Sequence, residues 1–164
     1  MTSSESRRIV FYGKADAPVL EETGMMAPAT LDPAVSAEFD LSLLAAGART
    51  TVLFSEEEPS GFSLVHAKFG PGYRLPRHSH SSDCLYYVVR GEAIMGRRTI
   101  KAGDGFFVSA GQPYAYAAGP DGVEVLEFRT ETHFDMKIFD QTVARWQPIV
   151  AAAKANHDRW IAEV

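Results

Sequence analysis

Cysteine is almost absent from this sequence. Cys84 is the only one in 164 residues, so the chain forms no internal disulfide, which is typical of proteins from a reducing compartment. The first twelve residues also lack the apolar core of a secretory signal peptide. We therefore expect a cytoplasmic protein.

Long apolar runs and basic clusters are missing as well. No apolar stretch reaches the roughly 18 residues that a membrane span needs. The net charge is −5, and the adjacent basic pairs are Arg7-Arg8 and Arg97-Arg98 alone. Proteins that bind nucleic acid carry concentrated positive charge. The sequence thus predicts that neither a membrane nor a nucleic acid is a partner.

Regular alternation of helices and strands is absent too, and short strands take its place. Between residues 50 and 129, apolar runs are separated by glycine turns, including Gly91 and the G-P-D-G stretch at 119–122. Strands at such spacing are typical of an antiparallel sandwich or barrel. Residues 7–12 resemble another short strand, while residues 39–44 suit either a strand or a helical turn.

The last part of the chain is rich in alanine and has the periodicity of a helix. Asp140 is its predicted N-cap, and Pro148 either kinks the helix or begins a second one. A stripe on one face predicts packing against the barrel or a neighbouring subunit. The stripe consists of Val143, Trp146, Val150, Ala153, His157, Trp160 and Val164. We expect an arm and strand over 1–46, a barrel over 47–135 and a helical segment over 136–164.

Two histidines, His78 and His80, stand one residue apart in the stretch from Gly72 to Gly91. On an extended strand, residues i and i+2 lie on the same face. Two imidazoles on one face of a strand indicate a metal site.

This stretch resembles the first motif of the cupin superfamily. That motif reads glycine, five residues, His-x-His, three or four residues, glutamate, six residues, glycine. Gly72, His78, His80 and Gly91 fit this spacing, and Cys84 occupies the position of the glutamate.

A second stretch resembles the second cupin motif, which reads glycine, five residues, Pro-x-Gly, two residues, histidine, three residues, asparagine. Gly103 and Gly111 fit, while Ser109, Tyr114 and Ala118 replace the proline, the histidine and the asparagine. The resemblance covers residues 50–130. It implies an all-β fold, an antiparallel cupin-type β-barrel (double-stranded β-helix or jelly roll), and a homodimer in which the arm covers a neighbour's sheet edge.

The resemblance also implies a divalent transition metal such as zinc, iron, nickel or manganese, and three interpretations of the ligands remain open. In the first, a Cys84 thiolate joins His78 and His80, with Tyr114 as a possible fourth ligand, a set that suits soft metals. In the second, Glu127 faces inward and completes a 2-His-1-carboxylate site, while strand alternation turns Asp83 away. In the third, the histidines line a pocket without metal.

Strand alternation also predicts the remaining pocket residues. If Cys84 faces inward, so does Tyr86, and if Tyr114 faces inward, so does Tyr116. We interpret Tyr86 and Tyr114 as catalytic residues that move a proton. The substrate-binding candidates are Tyr116, His66 and Glu127. The structural alternative is that the tyrosines fill the core and Glu127 is a charge at the barrel end, paired with an arginine.

Two functions follow from these residues. The first is a metal-dependent cupin enzyme of the dioxygenase, lyase or isomerase type, which acts on a small organic acid or aromatic compound in the barrel. The alternative is a non-catalytic, metal-free cupin that binds or senses a small molecule.

Overall fold

The computed structural model describes residues 8–163. It contains eight strands, three α-helices and two 3₁₀ turns. The strands are β1 (Ala48–Ser55), β2 (Ser63–Phe69), β3 (His78–Ser79), β4 (Cys84–Met95), β5 (Arg98–Lys101), β6 (Gly105–Val108), β7 (Ala117–Arg129) and β8 (Lys137–Ile138). The helices are α1 (Leu20–Thr23), α2 (Pro33–Glu38) and α3 (Val143–Ala162), and the 3₁₀ turns are Lys14–Asp16 and Leu41–Gly47.

The strands form an antiparallel sheet in the order β1-β2-β7-β4-β5, with β6 paired to β4, and β3 pairs with β8 separately. The predicted antiparallel fold with a C-terminal helix is thereby confirmed. Within residues 8–163 the hydrogen-bonded order ends at β1 and β5, so the strands do not form a closed barrel. A single bridge from His78 to Tyr114 brings β3 to the segment before β7.

Strand β4 shows the alternation predicted from the sequence. Cys84, Tyr86 and Val88 are buried, whereas Leu85 and Tyr87 are each about half exposed. The first set therefore faces the core together, and the second lies on the outer face of the sheet.

Two glycine turns predicted from the sequence are wrong. Strand β4 continues through Gly91, and β7 continues through residues 119–122. The β4–β7 register shifts beside Gly91, which has a φ of 69°. A Cβ atom at Gly91 would overlap the carbonyl oxygen of Gly122. Glycine is needed there for a bulge and a close approach of two strands.

The N-terminal segment lies partly on its own sheet. Val19 bridges to Thr51, and Met26 bridges to Phe134. No strand forms over residues 8–12, so the short strand predicted there is wrong for its described part, and residue 7 lies outside it. Residues 39–44 were predicted as either a strand or a helical turn. Most of them lie in the 3₁₀ turn Leu41–Gly47, so the helical alternative is the observed one.

Helix α3 is a single helix with Pro148 inside it. It begins after Thr142, whose Oγ1 accepts a hydrogen bond from the Arg145 amide, so the prediction of Asp140 as N-cap is wrong. The Asp140 carboxylate instead accepts from the Arg77 amide at 2.8 Å. No helix over residues 8–163 is long and apolar enough to cross a membrane.

Both tryptophans of the predicted stripe pack against their own chain. Trp146 and Trp160 are buried, and their Nε1 atoms donate to the carbonyls of Asp140 and Pro71 at 2.7 and 2.9 Å. The stripe was predicted to pack against the barrel or a neighbouring subunit, and the two tryptophans pack into the core of their own chain. His157 is half-buried, and Val164 lies outside the described residues.

Candidate functional site

His78 and His80 lie side by side, as the i, i+2 spacing predicts. Their ring centroids are 5.0 Å apart. Nδ1 of His78 is 2.8 Å from the Pro76 carbonyl oxygen, and Nδ1 of His80 is 2.7 Å from that of Asp135. A carbonyl only accepts, so each Nδ1 donates, and in the neutral ring Nε2 keeps its lone pair.

The charge state of the two histidines follows from their surroundings. Burial lowers the pKa of His78 to about 4. Burial, followed by the positive charge of Arg129, also lowers the pKa of His80. Both rings are therefore neutral at pH 7, in the tautomer that presents an unprotonated Nε2.

Tyr86 and Tyr114 meet beside His78. The two hydroxyl groups are hydrogen-bonded to each other, and the Tyr114 ring centroid is 4.5 Å from that of His78. Burial, followed by the negative charge of Glu127, raises the pKa of both phenols. Both are therefore protonated at neutral pH, and each is able to donate one hydrogen bond.

Glu127 faces inward on β7, next to Tyr86 on β4 in the sheet register. Its side chain is 12% exposed, and Oε2 accepts a hydrogen bond from Nη2 of Arg129 at 2.9 Å. Glu127 thus points into the site and is paired with an arginine, while the predicted 2-His-1-carboxylate set does not assemble among residues 8–163.

Arg129 is a site residue that the sequence analysis missed. Its side chain is fully buried, and Cζ lies 4.0 Å from the ring centroid of Phe134. That ring is in turn 5.5 Å from the ring of His80. Strand alternation could have identified it, because Arg129 is two residues after Glu127 and therefore lies on the same face of β7. We call His78, His80, Tyr86, Tyr114, Glu127 and Arg129 the inner cluster.

The predicted ligand set of His78, His80 and Cys84 does not assemble. Over residues 8–163, no three His, Cys, Asp or Glu side chains converge in a way that could hold a metal ion. Burial, followed by the charge of Glu127, raises the pKa of the Cys84 thiol to about 12, so Cys84 is a protonated thiol at neutral pH. The described part of the chain brings two imidazoles together without a third side chain of these types.

Three other candidates lie at the edge of the inner cluster or outside it. His66 pairs with Leu126, whereas its neighbour Val65 pairs with Glu127, so His66 is on the opposite face of β2. There its Nε2 is 3.0 Å from Oε2 of Glu124, and the predicted pocket role of His66 is not supported. Tyr116 is buried, and its ring is stacked on that of Tyr114 with 6.4 Å between the ring centroids. Asp83 accepts a hydrogen bond from the Ala110 amide.

Comparison with known proteins gives local matches. No protein-family model matches the chain. Over 79 residues the chain is 29% identical to dimethylsulfoniopropionate lyase DddW of Ruegeria pomeroyi. This match covers 46% of the chain and 52% of the lyase, so the chain spans about half the length of the curated relative that it matches.

Solved structures with a similar course of the chain include oxalate decarboxylase from Bacillus subtilis, with 21% identity and a TM-score of 0.47. That match covers 52% of this chain and 25% of the decarboxylase. Another is KdgF from Halomonas sp., with 23% identity and a TM-score of 0.45, over 52% of this chain and 82% of KdgF.

The deciding observation for the family combines the motif with the fold. Gly72, His78, His80 and Gly91 keep the first-motif spacing, the strands form the expected antiparallel sheet, and position 114 of the second motif bridges directly to His78. The chain thus resembles the cupin superfamily in its motif spacing and in its fold. In this chain, a thiol and a phenol occupy two positions of the motif ligands, and the inward carboxylate is on β7.

Proposed function

We propose that this protein is a cupin enzyme of the lyase type that acts on a small organic acid bound at the inner cluster. The observation that carries the proposal is the buried hydroxyl pair of Tyr86 and Tyr114, which lies between the neutral His78 ring and the inward Glu127. Buried, convergent polar groups of this kind characterise small-molecule sites. The local match to a protein named as a dimethylsulfoniopropionate lyase supports the reaction class.

The proposed reaction is an elimination. A proton leaves the carbon next to the substrate carboxylate, its electron pair forms a carbon–carbon double bond, and the bond from the next carbon to the leaving group breaks. A protonated tyrosine accepts that proton only while it releases its own. Glu127, adjacent to Tyr86 across the β4–β7 pair, is the acceptor for the released proton. The tyrosine pair thereby relays a proton from the substrate to Glu127.

The test is turnover of dimethylsulfoniopropionate by the purified full chain, followed as release of dimethyl sulfide. We expect Tyr86→Phe and Tyr114→Phe each to lower kcat about 100-fold or more, because positioned acid–base groups contribute at least that much. Each variant keeps the aromatic ring and removes only the hydroxyl.

The matched control is Tyr87→Phe, which removes a hydroxyl from the exposed face of the same strand and is expected to leave kcat unchanged. Absence of dimethyl sulfide release by the wild type would count against the lyase proposal. Wild-type rates in both inner variants would remove the tyrosine pair from the mechanism.

We further propose that His78 and His80 bind a divalent transition metal through their Nε2 atoms. Support comes from the hydrogen bonds that fix both Nδ1 atoms, since the second nitrogen of a metal-bound histidine is normally held in this way. No reaction step is assigned to the ion, because the described side chains supply only two protein ligands.

Zinc titration of the chelator-treated protein tests this pair. We expect His78→Ala and His80→Ala each to weaken zinc binding more than about tenfold, since even loss of a supporting partner has that effect. Cys84→Ser should leave the affinity unchanged because Cys84 does not converge with the two histidines on a metal site, and His133→Ala is the control for an exposed histidine. If Cys84→Ser weakened binding as much as His78→Ala, Cys84 would be a ligand after all.

The non-catalytic alternative is favoured by one observation, the incomplete protein shell around His78 and His80. A binding or sensing cupin would hold the same small acid without turning it over. The turnover assay separates the two functions, because a sensing protein would bind the acid and release no product.

A further inference from the structure

Arg129 has more hydrogen-bond donors than the chain uses. Its side chain has no exposed surface, and Nη2 donates to Glu127. Nε and Nη1 are also buried and have no acceptor among residues 8–163. Most buried polar groups find a partner, because an unpaired one costs free energy. Two unused donors on a single buried cation thus indicate a binding role.

The free donors belong to the inner cluster. Arg129 shares its face of β7 with Glu127, and Glu127 neighbours Tyr86. The Cζ atom of Arg129 lies over the Phe134 ring, which is also close to the ring of His80. Because Phe134 covers one face of the guanidinium, hydrogen bonds to Arg129 form at its edge, where the N–H groups lie.

The chemistry of the guanidinium selects the ligand. A guanidinium N–H group forms a charge-assisted hydrogen bond with a carboxylate, which is stronger than one between neutral groups. Glu127 uses Nη2 and leaves Nε–H free to donate to a second carboxylate. The histidines are neutral and the tyrosines are protonated, so Arg129 is the only cation that this cluster offers to an anion.

We propose that Arg129 binds the carboxylate group of the substrate through its free Nε–H group. This inference rests on the proposed function for the choice of ligand, and it assigns the substrate class as small aliphatic carboxylates. Binding there places the carbon next to the carboxylate towards the Tyr86–Tyr114 pair, and the hydrogen bond from Nη2 to Glu127 holds the guanidinium in position before the proton is transferred.

Propionate is the probe, and the side-chain Nε–H signal of Arg129 in a ¹H–¹⁵N spectrum of the full chain is the readout. We expect propionate to shift this signal in a saturable manner, while propionamide, which has nearly the same shape without the charge, leaves it unchanged. Arg129→Gln should weaken propionate binding by at least about tenfold, the loss expected for a charge-assisted pair. Arg97→Gln, in an exposed turn, should bind as the wild type does.

Each outcome decides the proposal. An Nε–H signal that does not move, or equal shifts with propionate and propionamide, would overturn it, and the wild-type spectrum suffices for this even if Arg129→Gln fails to fold. Propionate binding without dimethyl sulfide release would support the carboxylate site and count against the lyase. Conversely, unchanged KM and kcat for dimethylsulfoniopropionate in a folded Arg129→Gln variant would support the lyase proposal and contradict the role of Arg129 in carboxylate binding.

Discussion

Replacement of Glu127 by glutamine is expected to lower the free energy of unfolding by about 3–5 kcal/mol, the cost of leaving a buried charge without its partner. The Arg129 side chain is fully buried, and Glu127 accepts its only hydrogen bond among the described residues. Glutamine keeps the size of the side chain but removes the negative charge. Urea unfolding followed by circular dichroism measures the loss.

The double variant Glu127→Met/Arg129→Met is the control for this prediction. Removing both charges removes the desolvation cost as well, and such replacements are often neutral or stabilising. We therefore expect the double variant to recover most of the stability that Glu127→Gln loses. A loss of less than about 1 kcal/mol in the free energy of unfolding of Glu127→Gln is what a surface ion pair contributes. That result would mean that Arg129 reaches water once its partner is gone.

Trp160→Ala is expected to cost about 3–5 kcal/mol as well, the usual range for truncating a large aromatic residue in a core. Trp160 is 2% exposed and donates to the Pro71 carbonyl. Its ring fits against the chain where Gly47 has no side chain: a Cβ there would lie 2.5 Å from Cε3 of Trp160. Truncation leaves a cavity between α3 and the sheet that glycine backbone cannot fill.

Two variants calibrate this effect. Ile161→Ala removes a neighbouring side chain that is 56% exposed, and surface changes of this kind usually stay within about 0.5 kcal/mol. Trp160→Phe keeps most of the ring and loses the bond to Pro71, so we expect an intermediate loss. Equal unfolding midpoints for Trp160→Ala and Ile161→Ala would show that α3 does not depend on this contact.

Local periodicity accounts for what the sequence predicted well. The facing of Cys84, Tyr86 and Val88 follows from strand alternation alone, as does the pairing of His78 with His80. These statements need only neighbours along the chain, and the strand geometry fixes them.

Statements that depend on contacts between distant strands could not be derived in the same way. The inward orientation of Glu127 depends on the register between β4 and β7, which one sequence does not encode in a readable form. Gly91 shows a similar limit, because a glycine at a turn and a glycine at a bulge look alike in sequence. The unpaired donors of Arg129 can be identified only from the three-dimensional positions of all nearby acceptors.

The placement of the inner carboxylate on β7 has a consequence for the order in which the protein becomes active. His78 is in β3, His80 follows that strand and Tyr86 is in β4, whereas Glu127 and Arg129 lie on the last long strand of the sheet. Contacts between segments so far apart in the chain form slowly during folding. A nascent chain that lacks β7 holds both imidazoles and both phenols of the inner cluster, but neither the proposed proton acceptor nor the proposed anion site. The proposed reaction therefore requires the complete sheet.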